Sequence, residues 1–79
     1  MAPTVLRSGA FRFFFFSREE VRMHVHVAHT DGEAKFWLEP AIELALGVGL
    51  SQSQIREAMT VIVEHEEEIR HAWSTHFGG

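Results

Sequence analysis

Within the segment RMHVHVAHTDGEAKFWLEP (residues 22–40), His24 and His26 stand two apart among valines, followed by a turn signal and then by Lys35, Trp37 and Glu39. On an extended strand, side chains two apart share a face, so both imidazoles can act on one group. As acid and base, His24 oriented by the Glu39 carboxylate and His26 beside it form the pair that a metal-independent ribonuclease uses, with Lys35 countering developing phosphate charge. As metal ligands the two histidines lack a firm third partner. Only Glu39 or Glu19 lies near in the pattern, and His29 alternates to the opposite face, so no metal and no cofactor is assigned. As a nucleic-acid platform, aromatics interleaved with Arg12, Lys35 and histidines resemble surfaces that stack single-stranded RNA, although no RNP-type sequence occurs; RNA is kept as a partner class.

These residues need strands to position them. With Asp31 and Gly32 as the central residues of a type I′ turn, pairing sets Val27 against Phe36, His26 against Trp37 and His24 against Glu39. Val25, Val27, Phe36 and Leu38 then share a core face, and His24, His26, Lys35, Trp37 and Glu39 share the other. The run Phe13–Phe16 sends two aromatic rings to each face. Phe14 and Phe16, with Arg12, are placed beside the histidines, and an aromatic second face is most simply a protein interface. Arg12, Phe14, Phe16 and Trp37 are therefore the candidate binding residues.

The rest of the chain supplies the scaffold. Segments rich in β-branched and aromatic residues predict strands near 4–6, 11–17, 22–29 and 33–39, with a turn at Ser8-Gly9, a polar connection at SREEVR and Pro40 closing the last strand. Residues 41–46 read equally as short helix or strand, and GVGL as a turn. Ser51 with Gln54 forms a capping box, and Ile55, Ala58, Met59, Ile62, Ile69, Ala72, Trp73 and Phe77 make a helical stripe, predicting a helix over 51–77. Such a helix is about 40 Å long, more than a small sheet can cover, so a break near His65 to Glu68, an overhang or a second chain is expected. The run EHEEEIRH carries Ile at position 69, which removes the two-histidine helical zinc motif; Glu66–Arg70 and Glu67–His71 instead have the spacing of solvated ion pairs. The expected fold is α+β, one domain over residues 1–79: an antiparallel sheet of four to five strands in two hairpins, packed on one long C-terminal helix.

At 79 residues the core is small, so a stability of only a few kcal/mol is expected and a partner or second copy would add to it. The absence of cysteine removes disulfides and thiolate zinc sites and fits a reducing cytoplasm. No apolar run approaches a membrane span, and the phenylalanine run is too short for a leader core. The net charge is -4, but residues 1–37 hold five basic and four acidic side chains, whereas 38–79 hold two and seven. The acidic helix would be repelled by phosphate, so DNA is not expected as a partner.

The order PTVLRSGAFRFFFFS, HVHV, EAKFWLEP, IELA and HEEEIRHAWSTHF, over essentially the whole chain, resembles the bacterial family named domain of unknown function 4160. The family often carries proline just before its HVH segment, where this chain has Val21, Arg22 and Met23. The motif residues carried over are Arg12, Phe13, His24, His26, Lys35, Phe36, Trp37, Pro40 and Trp73. The resemblance implies a gene arrangement similar to toxin–antitoxin pairs, hence a cognate small protein or a second copy as the partner, with a toxin-like role also open.

Overall fold

The structure, a computed structural model, describes residues 4–16 and 22–77. Five strands, β1 (Thr4–Ser8), β2 (Phe11–Phe14), β3 (His24–His29), β4 (Gly32–Trp37) and β5 (Glu43–Val48), precede two helices, α1 (Gln52–Glu64) and α2 (Glu66–Phe77). The strands lie in sequence order, each antiparallel to the next. The α+β class and the antiparallel sheet are as expected. Ser17, the end of the second expected strand, and the polar connection at 18–21 lie outside the described residues.

Alternation builds the core. Phe13 pairs with Val27, Val27 with Ala34 and Val25 with Phe36, and paired residues in antiparallel strands point to the same face. These side chains, with Phe11, Phe15 and Leu38, are buried against Ala58, Val61 and Ile62 of α1 and Ile69 and Trp73 of α2. Both helices thus cover one face of the sheet.

Three details depart from expectation. First, the β3–β4 register is displaced by two residues. His29 pairs with Gly32, so Thr30 and Asp31 make the turn, His26 faces Lys35 and His24 faces Trp37, not Glu39. Gly32 serves close packing instead of the turn: a Cβ there would overlap the Val48 carbonyl oxygen and crowd Gly49. A shift of two keeps every side chain on its expected face.

Second, residues 43–48 are strand, so Gly47 and Val48 of the expected GVGL turn belong to β5. The chain turns at Gly49, whose φ of 79° suits glycine.

Third, the segment 51–77 is two helices and not one long helix, divided at His65, so of the three expected outcomes for its length the break is the one found. The Ser51 hydroxyl accepts from the Gln54 amide at 3.1 Å and the Gln54 side chain accepts from the Ser51 amide at 2.8 Å, completing the capping box. At the far end His65 caps α1, and its carbonyl accepts from the Ile69 amide at 2.9 Å to start α2. The longest extent of the molecule is 34 Å, so an unbroken helix of about 40 Å would overhang it. Arg70 anchors α2: its guanidinium donates to Glu66 at 2.9 Å and to the Leu38 carbonyl, tying the helix to the end of β4.

Candidate interaction face

The second face of the sheet is built by the residues that alternate with the core. Phe14, His26, Lys35 and Leu46 are paired in turn across β2, β3, β4 and β5 and form one continuous row. Arg12, Ala28, Glu33 and Val48 form the next row, and His24, Trp37 and Glu43 a third. Arg12, Phe14, His26, Lys35 and Trp37 are therefore together, as the alternation required, and Phe16 joins them from beyond the end of β2.

The rings pack on one another. Phe14 stacks on His26 with centroids 5.5 Å apart, and Phe16 meets His26 edge-on at 4.5 Å and Phe14 edge-on at 5.3 Å. Cations sit over them. The Arg12 guanidinium lies 4.6 Å from the Phe14 centroid, and Arg22 and Lys35 lie 4.1 and 4.5 Å from that of Trp37. Arg22 also donates to the Glu39 carbonyl at 2.9 Å and to the Glu43 carboxylate at 3.3 Å. The result is an aromatic surface bordered by positive charge, with a depression of about 180 Å³ between Phe14, Phe16, His26, Glu33, Lys35 and Leu46. Phe16 keeps 46% of its surface exposed.

His24 is placed differently. Although it shares the parity of His26, it is fully buried, with the rings of His26, Trp37 and Trp73 at 5.1, 5.7 and 5.2 Å. Its Nδ1 is 2.7 Å from the Arg22 carbonyl, an acceptor, so Nδ1 carries a proton and donates. Glu39 is exposed and lies beyond the last paired residue of β4. Among the described residues no three His, Asp or Glu side chains gather as metal ligands. No helix among them is long and apolar enough to cross a membrane.

Sequence reasoning omitted Arg22, Glu33, Glu43 and Leu46 from this face. Arg22 carried a usable signal, since it continues the parity of His24 and His26. Leu46 did not, because β5 could not be told from a helix.

Residues 10–74 match the family described as Domain of unknown function (DUF4160), so HVHV and AKFWL sit inside a family match that spans most of the chain. No curated protein and no solved structure matches the chain.

Proposed function

Because the chain belongs to the family described as Domain of unknown function (DUF4160), whose description assigns no chemistry, we propose a role that joins what the resemblance implies to what the site supplies: a protein-interaction component of a bacterial, cytoplasmic toxin–antitoxin-like pair. The aromatic face docks a cognate small protein. The observation that carries this is a sheet with helices on one face only, whose other face displays Phe14, Phe16 and Trp37 between Arg12, Arg22 and Lys35. Aromatic and arginine side chains dominate the energetics of protein interfaces, and three cations favour a partner segment that brings carboxylates around an apolar anchor. The test is co-expression with the small protein encoded beside it, followed by light scattering on the purified product. A one-to-one complex is expected, weakened at least tenfold by Phe16→Glu; a wild-type chain that ignores this neighbour removes the reading.

The ribonuclease alternative has less behind it. His26 and Lys35 do face each other across β3 and β4, but His24 is enclosed by rings and Glu39 is not its cross-strand neighbour. A histidine sealed from solvent has no path to a phosphate.

A further inference from the structure

β5 is one of the two edge strands of the sheet, and unlike β1 at the other edge it is exposed at all six of its residues, Glu43 to Val48. Leu44, Leu46 and Val48 keep 42%, 54% and 53% of their surface open. An edge strand with apolar side chains presents unpaired backbone donors and acceptors to another strand, and proteins that remain monomeric blunt such edges with lysine, proline or inward charge. Between Glu43 and Val48 there is none of these; the one charge, Glu43, is at the end and is already paired with Arg22 at 3.3 Å. The occupant must therefore be an apolar strand that brings little charge of its own.

We propose that the occupant is β5 of a second copy, paired antiparallel about a two-fold axis to give one sheet across two chains. The faces of β5 select the register. Leu46 and Val48 pair with Lys35 and Glu33 on the aromatic face, Gly47 pairs with Ala34 on the helix face, and the irregularity between Lys35 and Phe36 places Leu44 with Phe36 on the helix face and Glu43 with Trp37 on the aromatic one. Matching faces sets Leu44 against the partner's Gly47 and Glu43 against the partner's Val48, which brings Leu46 opposite the partner's Ala45, the residue the β4 ladder skips. Large side chains then meet small ones. Gly47 is small because its own chain crowds it: a Cβ there would lie 3.1 Å from Ile55 Cδ1 of α1 and 3.9 Å from the methyls of Leu44. The two Glu43 carboxylates fall at opposite ends of a strand about 20 Å long and do not repel.

The helix side agrees with this geometry. Arg56, Met59, Thr60, Val63 and Glu64 line an open groove along α1, with Val63 54% exposed. A two-fold axis normal to the sheet runs the two α1 helices antiparallel, so any approach between them sets Arg56 of one toward Glu64 of the other. The seam shares Leu46 with the aromatic row but does not include Phe14, Phe16 or His26.

The test is light scattering over a concentration series on wild type, Leu44→Lys and Phe16→Glu, each checked by circular dichroism. The expected result is a wild-type mass that rises toward twice 9.0 kDa, a folded Leu44→Lys chain that stays at 9.0 kDa, and a Phe16→Glu chain that still dimerises. A wild type that is monomeric at every concentration overturns the proposal, as does a dimer lost in Phe16→Glu and kept in Leu44→Lys. Should Leu44→Lys not fold, amide exchange on wild type decides: protection of residues 43–48 that increases with concentration supports the seam, and exchange independent of concentration rejects it.

Discussion

Phe13 and Phe14 are neighbours in the chain and have opposite fates. Phe13 pairs with Val27, is fully buried and belongs to an aliphatic and aromatic core under α1 and α2; Phe14 pairs with His26 and lies under the Arg12 guanidinium on the open face. The same contrast runs across the sheet, Val27 against His26 and Phe36 against Lys35. One face is sealed by apolar side chains that interlock, and the other is made of flat rings with cations placed over them. The difference separates what folds the chain from what it presents to others.

The largest expected effect breaks the first face. Phe13→Ala deletes a ring at the centre of the core and should cost about 3–5 kcal/mol, comparable with the whole stability of so small a domain, so the variant should be unfolded at room temperature by circular dichroism. Phe14→Ala removes the same atoms one residue on, yet loses mainly a stacked imidazole and a cation contact; a cost of about 1 kcal/mol and a retained fold are expected. Equal losses in urea denaturation would show that the two faces are not energetically distinct.

His24 tests where the boundary lies. By parity it belongs with the open face, but Trp37, Trp73 and His26 enclose it and its Nδ1–H is held by the Arg22 carbonyl. His24→Ala should therefore behave as a core substitution of intermediate size, about 2 kcal/mol, by leaving a cavity and an unmet carbonyl. His26→Ala, on the accessible side of the same pair, should leave the fold intact. On induced expression, growth is expected to be the same for wild type and His26→Ala; arrest by wild type alone would assign an activity to the histidines and return the ribonuclease reading to first place.

The two faces were legible in the sequence because they depend only on a period of two, which survives a register shift of two residues. The register itself was not. Gly32 looked like a turn residue, and nothing local reveals that β5 will pass so close that a side chain there has no room. β5 was illegible for a related reason: a strand exposed along its whole length has no buried partner to impose a clear pattern on ELALGV. The helix start was written in Ser51 and Gln54, the need for a break followed from length, and the break falls at His65, inside the stretch His65 to Glu68 where it was one of the expected outcomes. The burial of His24 and the bond from Arg70 to the Leu38 carbonyl depend on residues distant in sequence, so local spacing showed only the Glu66–Arg70 pair.

The smallest effect sharpens the comparison most. Lys35 and Trp37 are two apart on β4, with the ammonium 4.5 Å from the ring centroid, and Arg22 covers the same ring at 4.1 Å. At an open face such a contact contributes about 0.5–1 kcal/mol, and the single substitution Lys35→Ala reads it together with everything else the side chain touches. A double-mutant cycle of Lys35→Ala with Trp37→Leu isolates the pair, and a coupling of about 0.5 kcal/mol is expected. The same cycle in Arg22→Ala should give a larger coupling for Lys35, because the ring then has one cation to attract instead of two sharing it. No coupling in either background would mean that the cations contribute nothing to the folded chain and that their placement over Trp37 matters only when a partner arrives with opposite charge.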